Sequence, residues 1–170
     1  LFVVREDMPA STSRILVQLS INTWNAYTDR YGLNFYTTPR AMEISYDRPF
    51  TRQPYGTGPY QWEIPFIRWL ESSGYTAEYC TNVDVHYIAG LLDHYRLFVS
   101  IGHDEYWSKE MRDHVEGFIS RGGNVAFLGS NTCYWQVRLE DDGRKIVCYK
   151  DDFQADPLFG VNNSRVTHYW

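Results

Sequence analysis

Between Trp62 and Gly129 the chain changes its hydrophobic period again and again, and that alternation constrains the fold more than any other feature. Trp62, Phe66, Trp69 and Leu70 recur at i, i+4, i+7 and i+8, the stripe of an amphipathic helix that Gly74 stops. "TAEYCT" (76–81) reads as a strand, and Ile88, Leu91, Leu92 and Tyr95 predict a second helix. "RLFVSIG" (96–102) is again a strand. Ser108 is a good N-cap for a helix carrying Met111, Val115, Phe118 and Ile119, ended by Arg121-Gly122-Gly123, and "NVAFLG" (124–129) follows as a strand. Upstream, "RILVQLSI" (14–21) supplies a buried strand. Downstream, "YWQVRL" and "KIVCYK" predict a hairpin around Asp141-Asp142-Gly143.

Strands alternating with helices predict an α/β fold with a mainly parallel sheet and right-handed crossovers. The 170 residues suffice for one such domain spanning 1–170, with residues 1–13 as a lead-in. The sequence begins without Met and ends in "SRVTHYW" without a breaker, so a fragment of a longer polypeptide is expected. In such sheets ligands sit beyond the carboxyl ends of the strands. Three clusters fall there: Tyr27 and its neighbours after the first strand, His103-Asp104-Glu105 after "RLFVSIG", and Ser130-Asn131 after "NVAFLG".

Composition narrows the partners. A formal charge of −5 gives no electrostatic footprint for nucleic acid or an anionic membrane, and the longest apolar runs are too short to span a bilayer. Three cysteines, Cys80, Cys133 and Cys148, form an odd set without C-x-x-C spacing, which predicts thiols in a reducing, cytoplasmic setting. Aromatic content is 17%, with 14 Tyr and 6 Trp. Much of it lies in residues 22–60, which show no sustained period and predict an irregular, ordered loop over a site.

Each chemical candidate has a bland alternative. His103 and Glu105 suit a metal or acid–base pair, or a loop whose carboxylates cap the next helix; H-x-E alone is a weak pattern that favours the cap, and the strand-end position brings the two readings level. Ser130 in "FLGSNT" lacks the second glycine of a nucleophile elbow and reads as a polar turn. Cys133 reads as a buried thiol, and His86 with Asp84 as a cap of the second helix. His94, His114 and His168 are singletons, Asp151-Asp152 reads as a solvated turn, and Gly122-Gly123 precedes a strand and is no phosphate cradle. Tyr27, Tyr31 and Tyr36 are packing residues unless a hard cation is close. Two phenolates and a carboxylate would make an all-oxygen site suited to Fe(III) over Zn(II) or Cu.

"FVVRED" near the start, "NTWNAYTDRYGLNFY" (22–36), "FIRWLESSGY" (66–75), "SIGHDEYWSKEMRDHVEGFISRGGNVAFLGSN" (100–131) and "DPLFG" (156–160) together resemble the catalytic domain of the N,N-dimethylformamidase large (beta) subunit family. More distantly, the chain resembles class I glutamine amidotransferase-like domains, a fold also used by ThuA-like proteins. The resemblance implies a flavodoxin-like three-layer sandwich and a hydrolase for a small amide such as an N-substituted formamide. It further implies a mononuclear Fe(III) on Tyr27, Tyr36 and Glu105, with His103 and Asn131 as catalytic neighbours. A small subunit and further domains of the large chain are implied as partners. The alternative on the same fold is a non-catalytic or carbohydrate-related ThuA-like domain.

Overall fold

The computed structural model describes residues 3–28, 32–49 and 58–170. Its first sheet is parallel: β1 (Ile15–Leu19), β3 (Glu78–Thr81), β4 (Leu97–His103) and β6 (Asn124–Ser130) lie in the order β3-β1-β4-β6. Pleating sends alternate residues to opposite faces. Leu16, Cys80 and Phe98 pack on one face against Met111, Val115 and Phe118 of α4 (Lys109–Ser120) and Val85 of α3 (Asn82–Tyr87). Val17 and Val99 pack on the other against Leu70 of α2 (Glu63–Ser72). Helices on both faces of a mainly parallel sheet make the α/β sandwich that the alternation predicts.

A second sheet was not foreseen. β2 (Glu43–Ser45), β8 (Lys145–Val147), β7 (Trp135–Glu140) and β5 (Tyr106–Ser108) lie in that order, with β5 parallel to β7 and the other pairs antiparallel. The β7–β8 hairpin turns where expected, with Asp141 and Asp142 at φ 55 and 51° and Gly143 at 79°. Ala26, Phe35, Tyr106, Val137 and Ile146 fill the core beneath this sheet. The buried Asp156 accepts from Arg138 Nη1 at 2.6 Å and from Thr167 N at 2.9 Å, strapping the last segment onto β7.

Several expectations change in detail. Residues 22–60 are not irregular throughout, because α1 (Ile21–Tyr27) opens them and β2 interrupts them. The helix expected from Ile88 onward begins earlier, as α3, and the apolar residues after it occupy a 3-10 turn, Leu91–His94. Thr81, not His86, caps α3, with Asp84 closing a capping box, while His86 lies in the last turn against Ser108 Oγ at 2.7 Å. Ser108 does cap α4, accepting from Met111 N. Trp62, Trp69 and Ile119 are exposed, since α2 and α4 bury narrower stripes than their sequences allow. Cys80 and Cys148 are buried and Cys133 half-buried, all as free thiols.

Gly102 and Gly129 face each other across β4 and β6. A Cβ on Gly129 would stand 1.8 Å from the Gly102 carbonyl oxygen, and backbone cannot step aside as a side chain can. Gly129→Ala is therefore expected to cost about 3 kcal/mol, at the upper end of overpacking, read as a thermal midpoint lowered by roughly 6–12 °C. Gly102 itself has φ 72°, which bends the end of β4 and aims the next residues into the site.

Candidate active site

The bend at Gly102 leads into Asp104 and Glu105, consecutive residues with opposite destinations. Asp104 is fully buried and accepts from Gln18 Nε2 at 2.5 Å, Asn82 Nδ2 at 3.0 Å and Ser100 Oγ at 2.8 Å. Burial raises its carboxyl to about 6, against the lowering effect of those bonds. Its place is structural, tying β4 to β1 and α3. Glu105 is held by its backbone: its N–H donates to Thr23 Oγ1 on α1 at 2.9 Å, and its carbonyl accepts from Tyr134 N and Trp135 N. Its side chain, 4% exposed, faces the end of α1.

Two phenols meet it there. Tyr27, the last residue of α1, donates to Glu105 Oε2 at 2.9 Å. Tyr36 donates to Oε1 and Oε2 at 3.1 and 3.2 Å, and its ring stacks on Tyr27 with centroids 3.9 Å apart. Asn34 sets the spacing of this pair. Its Oδ1 accepts from Tyr36 N at 2.7 Å and Thr37 N at 2.8 Å, while its Nδ2 donates to the carbonyls of Thr28 and Tyr27 at 3.2 and 3.4 Å. Burial, then the neighbouring Glu105 charge, pushes the Tyr36 phenol far above its ordinary range; burial does the same to Tyr27. Without a cation, both therefore stand as protonated donors.

Tyr106 and Lys150 form a further layer that the sequence did not disclose. Tyr106 donates to Tyr36 Oη at 2.7 Å, and Lys150 Nζ donates to Tyr106 Oη at 2.8 Å while lying 3.5 Å from the centre of the Tyr36 ring. Burial lowers Lys150 to about 8, with the Glu105 charge resisting. A cation over one face of Tyr36 and a donor on its oxygen both favour phenolate there.

Of the five residues singled out, Tyr27, Tyr36 and Glu105 come together within hydrogen-bond distance. His103 and Asn131 stand at the same sheet edge, His103 half-buried and in register with Ser130, Asn131 exposed with φ 55°. Among the described residues, neither side chain bonds to the three-residue cluster. Tyr31 lies outside the described residues. Among the described residues no three His, Cys, Asp or Glu side chains converge, so a cation held here would draw on phenol oxygen. Two phenols and a carboxylate suit a hard, highly charged ion, and the nearby Lys150 offsets the negative charge they would carry once deprotonated.

A family model described as "N,N-dimethylformamidase beta subunit-like, C-terminal" matches residues 1–170. An N,N-dimethylformamidase beta subunit from Alcaligenes sp is 28% identical over 127 residues, covering 72% of this chain and 16% of that protein. One from Paracoccus aminophilus is 28% identical over 134 residues, covering 76% of this chain and 17% of that protein. The chain thus spans about a sixth of the length of the curated relatives it matches.

Proposed function

The chain belongs to the N,N-dimethylformamidase beta subunit-like C-terminal family, and from that premise we propose that it carries the catalytic centre of an amide hydrolase for small N-substituted formamides. The observation that carries the reading is the convergence of two phenol oxygens on one buried carboxylate at the end of β4. Tyr27, Tyr36 and Glu105 would hold a single Fe(III). Such an ion would supply Lewis acidity, polarising an amide carbonyl and acidifying water at neutral pH.

The protein's own residues have separate tasks. Asn34 fixes the two tyrosines against each other, and Tyr106 with Lys150 would stabilise Tyr36 as phenolate once a cation displaces its proton. Asn131 would donate to the carbonyl oxygen as charge develops there, and His103 would carry a proton to the departing amine. No serine or cysteine elbow is needed for this chemistry. The partners would be the remaining parts of a beta subunit and a second subunit, in a reducing, cytoplasmic setting consistent with three free thiols. No helix among the described residues is long and apolar enough to cross a membrane. The carbohydrate-related alternative has less support, because the Tyr27 and Tyr36 rings stack on each other and their hydroxyls converge on Glu105.

Iron content and the visible spectrum of the purified protein test the proposal. About one iron per chain and a tyrosinate-to-iron charge-transfer band are expected. Tyr36→Phe should lose most of the band and at least about tenfold in iron affinity, because it also removes the oxygen that Tyr106 bonds. Binding must displace two phenol protons held above their ordinary range, so uptake strengthens as pH rises. Protein that stays colourless and iron-free after reconstitution would sink the metal mechanism.

A further inference from the structure

Away from the phenol–carboxylate cluster, α1 and α2 border a cavity of about 190 Å³ lined by Leu19, Trp24, Glu63, Ile64, Ile67 and Tyr79, among others. An apolar cavity of about 150 Å³ already accommodates benzene. Glu63 lies at its deep end, 1% exposed. Its Oε1 accepts from Trp24 Nε1 at 2.8 Å, whereas its Oε2 is buried with no hydrogen-bond partner among the described residues. Among the described residues the remaining walls bring no cation, and the Tyr79 hydroxyl is already given to Glu71 at 2.8 Å. A buried carboxyl oxygen without a donor is costly unless something supplies one.

We propose that this cavity is a binding site for a small alkylammonium ion, its N–H groups directed at Glu63 Oε2 and its alkyl body held among Leu19, Ile64 and Ile67. The pocket asks for an apolar body, one strong donor and a positive charge, and alkylammonium combines all three. Burial holds the carboxyl at about 7, against the lowering effect of the Glu63 and Ser20 main-chain N–H groups and of Trp24 Nε1, so an arriving cation would favour the ionised form that burial disfavours. If the amide-hydrolase reading holds, on which this last assignment rests, the occupant is the amine released by cleavage. Trp24 and Tyr27 lie three residues apart on α1, so the same helix borders both sites.

The test is calorimetric titration of the metal-free protein with dimethylammonium and n-butylammonium chlorides, with n-butanol as the uncharged control. At least one ammonium should bind saturably at one site per chain, and Glu63→Gln should weaken it at least about tenfold while leaving butanol unaffected. Should that variant fold poorly, Ile67→Trp fills the cavity, leaves Glu63 in place and should also abolish binding. Absence of binding by either ammonium overturns the proposal. So does equal binding to Glu63→Gln, or butanol binding as tightly as the ions. The titration involves neither iron nor turnover, so failure of amide hydrolysis leaves the site standing and removes only its assignment to product.

Discussion

Glu105→Gln is expected to abolish the proposed catalysis while leaving the chain folded. Glutamine keeps the shape of the side chain and an oxygen that can still accept from a phenol. It removes the negative charge, one of the two carboxylate oxygens and, among the described residues, the acid on which Tyr27 and Tyr36 both converge. A trivalent cation would then face two phenols that burial keeps protonated, and no carboxylate. Iron content should fall below about a tenth per chain, and amide hydrolysis by at least about a thousandfold, roughly 4 kcal/mol of barrier. The chain should stay folded, because the main-chain bonds of residue 105 to Thr23, Tyr134 and Trp135 do not involve its side chain, with a loss of stability limited to about 1–3 kcal/mol for the amide set against two phenol donors. Retention of iron and colour by Glu105→Gln would remove this residue from the site.

The second large effect concerns Glu78, on the far side of the first sheet's edge. Its carboxylate, 2% exposed, accepts from Ala10 N, Thr12 N, Thr12 Oγ1, Ser13 N and Tyr95 Oη at 2.8, 2.7, 3.0, 3.1 and 2.5 Å. Burial alone would raise its pKa, but the Tyr95 hydroxyl and the main-chain donors of Thr12, Ala10 and Ser13 outweigh it and hold the group at about 2, below the usual 4.5. A depressed folded-state pKa contributes stability that is complete above the unfolded value and is lost as pH falls through the folded one. Glu78 should therefore contribute about 3 kcal/mol above pH 4.5, vanishing toward pH 2. Urea unfolding across that window should show the loss in the parent chain. Glu78→Gln, which sets an NH₂ among donors, should be weaker by about that amount at neutral pH and much flatter in acid. A parallel pH dependence in both chains would refute the assignment.

Much of this was legible in the sequence, and the failures have physical causes. β1 and β4 were readable as nearly continuous buried apolar runs, and β3 and β6 as short apolar segments set between helix patterns, although β6 itself buries none of its residues. α1 was not, since "INTWNAY" buries Asn22, Thr23 and Asn25, and hydrophobic periodicity cannot register burial achieved through hydrogen bonds. Asn22 Nδ2 donates to the Tyr106 carbonyl at 2.8 Å and Asn22 N to Asn82 Oδ1 at 3.0 Å, partners far away along the chain. α3 was shifted because the apolar spacing of Ile88, Leu91 and Leu92 outweighed the capping pattern Thr81-x-x-Asp84, which was the better signal. The second sheet contains three strands of only three residues, too short to display a period. The phenol–carboxylate cluster was reached through strand-end logic and motif resemblance. Lys150 had no such route: it reaches Tyr106 across 44 positions, and nothing local distinguishes it from any other lysine.

The adjacency of Asp104 and Glu105 has a consequence for how such chains can diverge. One residue is locked into the amide and hydroxyl network of the sheet, and the next reaches the phenols, so not a single residue can be inserted between scaffold and chemistry at this point. Between Tyr27 and Tyr36 the tolerance is different in kind, because the Asn34 side chain, rather than a fixed chain length, sets how the two rings meet. Insertions and deletions should therefore accumulate on the tyrosine side, while the dipeptide at the end of β4 keeps its register.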